Sequence, residues 1–202
     1  MYIELRRLMR AGSSGYQQEL KDKEAQSRRM RVFGAFLIPG ALQTREYATV
    51  RFTEFTDMAE IHADVKQAVD ARMERAALLR SGKTLFHFVI CETALTAVMA
   101  PPDVMLGQLR HLLEVLKFPV VQLGIIPNDV SHYPPLCDFW IMDDRAAETE
   151  TYTASIKVTQ PREVAMYAKV FDSLARSAVY GKAAQEIIQR ALDSLVQYQE
   201  TT

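Results

Sequence analysis

The stretch Thr84-Leu85-Phe86-His87-Phe88-Val89-Ile90-Cys91, followed by Glu92, decides the fold. Its aromatic and β-branched residues suit a strand, and apolar side chains at both alternating positions mark a strand covered on its two faces. Such a strand requires helices to cover it, and the flanking sequence supplies them. Upstream, Ile61, Val65, Val69, Met73, Ala76 and Leu79 recur at steps of three and four, which predicts a helix over 59–80 ended by Ser81-Gly82-Lys83. Downstream, Glu92 to Ala97 reads as a helical turn. Asp103 is placed to cap a helix over 104–117, and Pro119 separates that helix from a second strand, 120–126.

Further out, residues 136–158 read as two or three short strands around the acidic loop Asp143-Asp144-Arg145. Pro161 opens a helix in the favoured first-turn position, with Val164, Tyr167, Phe171 and Leu174 on its core face. Gly181 divides it from a last helix over 182–198. Toward the N-terminus, Arg31 to Ile38 is a short apolar run ended by Pro39-Gly40, and a helix is expected from Ala41 to about Phe52. The first thirty residues read as two polar helices broken at Gly12-Ser13-Ser14-Gly15. The expectation is an α+β fold: a central, mostly antiparallel sheet of about five strands, helices N-terminal to it and two C-terminal helices. Residues 1–30 form N-terminal polar helices in this scheme, and 31–202 a single α+β domain.

The formal net charge is -1 and the sequence pI about 6.4, which argues against a phosphate-binding surface and against nucleic acid as a partner. The local cluster Arg28-Arg29 with Arg31 follows Lys21, Asp22, Lys23 and Glu24 and is expected on a mixed-sign solvated helix. Cys91 and Cys137, each in an apolar run, lack both a disulfide framework and zinc spacing, so free thiols are expected. The charged N-terminus and the absence of a long apolar stretch point to a cytoplasmic protein without a membrane partner. His62, His87, His111 and His132 lie on separate elements at no ligand spacing, so neither a metal nor another cofactor is expected.

Candidate functional residues are few. Glu92 ends a strand, where it either caps the next helical turn or stands as a half-buried acid at a pocket mouth. Glu150 lies among threonines on an expected strand, and His132 sits in a turn-rich loop beside Tyr133, where it could act as a donor or general acid. If the protein is an enzyme, Glu92, Glu150 and His132 are its catalytic candidates. Two carboxylates converging in one pocket would push at least one pKa upward. Phe88, Tyr133 and Trp140 are candidate walls for a ligand. Arg110 is a candidate carboxylate grip or an i, i+4 partner of Glu114, and Gln43-Thr44 either contact a ligand or brace a helix entry.

A family pattern runs through these same segments. Phe36-Leu37-Ile38-Pro39-Gly40-Ala41-Leu42-Gln43-Thr44 with Tyr47-Ala48 resembles "VPGLLQT..YA". Arg72 to Leu79 resembles "AR.ERQ.LL", Val89 to Leu95 "VLDEAAL", and Gln108 to Glu114 "QLR.LLE". Val120 to Pro127 resembles "VTVQVLP", Ser131-His132 "GAHP", and Pro161 to Leu174 "PEEVA.Y...FD.L". Glu150-Thr151 sits where the pattern has "YVET". The chain is thereby similar to the effector half of actinobacterial Xre-type helix-turn-helix regulators, a domain of unknown function also described as Scr-type antitoxin-like. It departs from the pattern at Glu148, where the family has tyrosine, at Ala154 and Ser155 in place of loop glycines, and at Pro134-Pro135. No helix-turn-helix segment is recognised ahead of the shared region. The resemblance implies a stand-alone effector domain that binds a small apolar metabolite or a small partner protein, with a homodimer compatible with it. The alternative is a cofactor-free enzyme of cyclase, isomerase or lyase type, built on the same fold for a natural-product pathway.

Overall fold

The computed structural model describes residues 3–6, 13–80, 83–152 and 154–201. Seven strands form one mixed sheet: β1 (Ile3–Arg6), β2 (Arg29–Gly34), β3 (Leu85–Cys91), β4 (Val121–Ile126), β5 (Phe139–Met142), β6 (Ala146–Glu150) and β7 (Ser155–Val158). The helices are α1 (Ser13–Gln26), α2 (Arg45–Met58), α3 (Val65–Ala76), α4 (Thr93–Thr96), α5 (Pro102–Val115), α6 (Pro161–Ser177) and α7 (Gly181–Thr201). The strand order is β1-β7-β6-β5-β2-β3-β4. Strands β2, β3 and β4 run parallel, while β5, β6, β7 and β1 follow as antiparallel neighbours. The α+β class holds. The expected mostly antiparallel sheet of about five strands is corrected to a mixed one, because helices connect β2 to β3 and β3 to β4 and so return the chain in parallel.

The β3 segment is covered on both faces as its composition requires. Phe86, Phe88 and Ile90 pack on one side with Leu123 and Ile125 beneath α5 and α7; Val89 and Cys91 pack on the other with Phe139, Ile141 and Phe171. Gly124 is small for a reason: a Cβ there would lie 2.5 Å from the ring of Tyr180. That ring is anchored, since Tyr180 donates its hydroxyl to the Ala175 carbonyl at 3.1 Å and lies 2.9 Å from His87 Nε2. Burial holds the His87 imidazole below its ordinary pKa.

Several boundaries move, each for a local reason. The helix read over 59–80 starts only at Val65, because Asp64 caps it by accepting from the Gln67 N–H at 2.9 Å, after Glu60 turns the chain with φ 51°. Ser81 and Gly82, expected to end it, lie outside the described residues. Thr44, not Ala41, sets the start of α2, accepting from the Tyr47 N–H at 3.2 Å. Pro101 and Pro102 open α5, so Asp103 sits inside its first turn rather than capping it. The first of the two N-terminal polar helices is instead strand β1, paired with β7, and the second is α1, packed on α3. Arg29 and Arg31 are strand residues, not a solvated helix face, and Arg31 is buried against the Phe171 ring at 5.6 Å. Among the described residues, no helix is long and apolar enough to cross a membrane.

Candidate functional site

Because β2, β3 and β4 are parallel and β5, β6 and β7 alternate in direction beside them, the sheet has two ends built from different loops. The segments following β2, β3 and β4, together with the turn between β6 and β7, meet at one end. They comprise residues 35–44, 92–103, 127–138 and 150–154, and will be called the crown. The four crown segments hold five carboxylates, Glu92, Asp103, Asp129, Asp138 and Glu150, and β1 brings Arg6 to the same end, paired with Ser155.

They also hold apolar side chains in solvent. Phe36 is 64% exposed, Leu136 93% and Tyr152 91%, with Leu37, Val98, Val130 and Tyr133 exposed beside them in sequence. Buried hydrophobics elsewhere fill the sheet faces, so this gathering at one end is not a shortage of core. Gly34 begins the Phe36 turn: a Cβ there would meet the Leu37 carbonyl oxygen at 2.8 Å, so only glycine permits the chain to fold back so tightly.

Asp138 is the acid that ties the crown together, and reading the sequence missed it. Its Oδ1 accepts the Ala35 N–H at 2.8 Å, and its carbonyl accepts the Thr149 hydroxyl at 2.7 Å. Burial pushes the Asp138 carboxyl above the usual carboxylate range; the Ala35 hydrogen bond opposes that shift, and the negative charge of Glu150 adds to it. Burial also pushes the Cys91 thiol up, with the Asp138 charge acting the same way. An acid directly before an apolar strand was the available signal, as for Glu92 directly after one.

The candidate residues scatter. Glu92 and Glu150 stand at the same end of the sheet, but β5 and β2 lie between their strands, a separation of three strand spacings or roughly 14 Å. They do not converge on one pocket. Glu92 makes no cap to α4; its Oε2 accepts the Asn128 N–H at 2.9 Å and its Oε1 lies 3.6 Å from Arg190 on α7, so it braces the loop after β4. His132 is held locally, its ring Nδ1 2.9 Å from the carbonyl of Tyr133, and Tyr133 is exposed. Phe88 is core, stacked on Phe86 with ring centroids 5.7 Å apart; Trp140 packs half-buried against the same core, and Arg110 is exposed on α5.

Gln43 and Thr44 brace rather than line a pocket. Buried Gln43 donates to the Ile38 carbonyl at 2.7 Å and accepts from Arg72 at 2.6 Å, and the Thr44 N–H donates to Gln108 at 2.8 Å. Arg75, also buried, donates to Gln17 at 2.9 Å and lies 3.2 Å from the Glu24 carboxylate. A Cβ on Gly40 would sit 2.6 Å from Arg75 Nη2 and 3.3 Å from the Arg72 guanidinium carbon. Two of the resembled motifs, Pro39-Gly40 to Thr44 and Arg72 to Leu79, are therefore halves of one clamp that fixes the base of the Phe36 loop.

Residues 17–190 match a family model described as a domain of unknown function, DUF5753. The chain belongs to that family. Comparison with curated proteins finds no match. Among solved structures, this DUF5753 chain is similar in fold to phosphatidylserine synthase from Haemophilus influenzae, at 11% identity and a TM-score of 0.53, covering 98% of this chain and 46% of that one. Weaker likenesses are to Nuc of Salmonella typhimurium, a phospholipase D family member (11% identity, TM-score 0.47, 89% and 97% covered), and to TrmBL2, an archaeal chromatin protein (10%, 0.44, 90% and 55%). The DUF5753 chain thus spans about half the length of the synthase and of the chromatin protein. At this identity the likeness concerns the fold.

Proposed function

We propose that this DUF5753 chain is an effector domain that binds a ligand or a partner at the crown, related to helix-turn-helix regulators of the actinobacterial kind and acting in the cytoplasm without contacting DNA itself. One observation carries the reading: apolar side chains left in solvent are gathered on the loops at the carboxyl ends of the parallel strands. Loops on a rigid sheet are where binding groups are best presented, and in sheets of this kind the carboxyl ends of parallel strands are the usual place. The enzyme alternative drew on Glu92 and Glu150 converging; three strand spacings between them leave binding as the better-supported role.

The test is a screen of small apolar fragments, followed by amide chemical shifts. Binding at the crown moves the signals of residues 35–38, 97–100, 129–137 and 150–152. Shifts confined to the opposite end of the sheet would overturn the reading.

A further inference from the structure

We propose that α1 is a releasable strap: its docking on α3 holds the base of the Phe36 loop, and its release loosens the crown and lowers the crown's affinity for a ligand. This rests on the reading of the crown as the binding end and names what regulates it. The first ground is how α1 is held. No described side chain of α1 belongs to the apolar clusters of the fold, and Leu20 is the one buried hydrophobic among them. Helix α5, by contrast, sets Leu109, Leu112 and Val115 wholly inside the core.

Polar contacts hold α1 instead. Lys21 reaches Glu74 on α3 at 2.6 Å, Lys23 reaches buried Glu148 on β6 at 2.7 Å, and buried Glu24 lies 3.2 Å from Arg75. Glu24 and Glu148 each bury a carboxylate oxygen without a hydrogen bond among the described residues, and Arg75 Nε is left in the same state. Burial pushes the Glu24 carboxyl above the usual carboxylate range, against the opposing charges of Arg75 and Arg72. Removing such pairs from water costs much of what their attraction returns, and orphaned polar atoms regain water when the helix lifts. The docked state of α1 is therefore only slightly favoured.

The second ground is what α1 touches. Gln17 Oε1 accepts from Arg75 Nη1 at 2.9 Å and lies 3.3 Å from Arg72 Nε. Arg72 donates to Gln43, Gln43 donates to the Ile38 carbonyl, and Arg75 Nη2 closes on Gly40. Docked α1 thus aims both guanidiniums at the turn that carries Phe36 and Leu37. When α1 lifts, Arg75 loses Gln17 and Glu24 together and is free to turn toward water, and the loop loses its brace. Linkage is reciprocal, so a ligand that orders the loop also holds α1 down.

The test is amide hydrogen exchange on the full chain. In the unsubstituted protein, amides 17–26 should exchange at least about a hundredfold faster than those of α5. Lys23→Met leaves Glu148 buried without its cation whenever α1 is docked, so it should speed exchange several-fold at 17–26. Exchange at 35–38 should rise with it, although Lys23 touches neither the clamp nor the loop. Asp22→Asn, an exposed change on the same helix, should alter neither segment. Unchanged α5 rates confirm that each variant is folded; should Lys23→Met not fold, Lys21→Met repeats the test at the Glu74 pair.

Amides of α1 as well protected as those of α5 overturn the proposal. So does a loosened α1 that leaves 35–38 unmoved. Apolar fragments that bind the unsubstituted and Lys23→Met chains equally well overturn the regulatory link and leave the crown as the binding end. Coupled exchange of α1 and the loop, with no fragment binding at the crown, supports the strap and counts against the binding reading alone.

Discussion

The two ends of the sheet are made of the same kinds of connection and have opposite character. At the end opposite the crown, the hairpin between β5 and β6 turns through Asp143 and Asp144, both with positive φ (49° and 55°), closed by the Arg145 N–H on the Met142 carbonyl at 2.8 Å. Positive φ at both central residues of a hairpin turn is the geometry that glycine or asparagine normally fills. Here the aspartates are occupied: Asp143 accepts the backbone N–H groups of Arg28 and Arg29 at 2.8 and 2.9 Å, and Asp144 pairs with Arg29 and with buried Arg31. An open groove of about 470 Å³ lined by Gln26, Arg28, Arg29, Asp143, Asp144 and Arg145 results, polar throughout. Charges at this end are tied to one another and to the backbone. At the crown, apolar tips stand in solvent, and its acids Glu92 and Asp138 hold loops through Asn128 and Ala35. What separates the two ends is apolar surface: the hairpin end exposes a polar groove, the crown exposes Phe36, Leu136 and Tyr152, which is how a binding surface differs from a structural one.

The largest expected effect follows at the structural end. Asp144→Ala takes a partner from Arg31, which keeps Asp172 at 3.4 Å and the Phe171 face, and should cost about 2–3 kcal/mol in denaturant unfolding. A loss below about 0.5 kcal/mol would mean that the end is not ion-pair locked and the contrast is superficial. Next, Gly40→Ala drives a methyl group into the Arg72–Arg75 clamp and should cost about 1–3 kcal/mol while loosening the Phe36 loop, visible as faster amide exchange at residues 35–38. Unchanged exchange there would separate the clamp from the crown.

A smaller effect has a pH signature. The Asp138 carboxyl is raised in the folded state, so the native protein binds this proton more tightly than the unfolded chain does. The stability contributed by its neutral form is complete below the unfolded pKa and is lost as pH rises through the raised folded value. Asp138→Asn keeps an oxygen for the Ala35 N–H and removes the buried charge facing Glu150. It should therefore stabilise by up to about 1 kcal/mol near neutral pH, the gain shrinking toward acid pH. Stabilisation independent of pH would contradict the assigned cause. Smallest of all, Leu136→Ser and Tyr152→Ser should each change stability by less than about 0.5 kcal/mol, as solvent-exposed sites do. A clear loss would place these side chains in the fold after all.

How far the sequence discloses this depends on the range of the interaction. The Leu85–Cys91 strand, the Val121–Ile126 strand and the Pro161 helix follow from local chemistry and are found where composition puts them. The strand pairing does not: that β2 lies parallel to β3 yet antiparallel to β5 is decided by which helices fit between, and no short window contains it. The same limit hid the crown. Each acid and each apolar tip was visible singly, but Phe36, Val130, Leu136 and Tyr152 are brought to one end only by strand order. Gln43 and Thr44, read as candidate ligand contacts, instead join Arg72 and Arg75 in a clamp, which only the packing of α3 against the Pro39-Gly40 turn discloses. Glu148, where the resembled pattern has tyrosine, is another internal use: buried, it accepts from Lys23 at 2.7 Å and helps hold α1 to the sheet.

The most direct test of the central contrast places a photo-crosslinking amino acid at Tyr152 in the crown and, separately, at Leu85, which is 59% exposed at the opposite end of the sheet. Each chain is irradiated in the cells that make it and analysed by mass. The account predicts adducts of defined mass from position 152 and none from position 85; adducts from position 85 alone would contradict it.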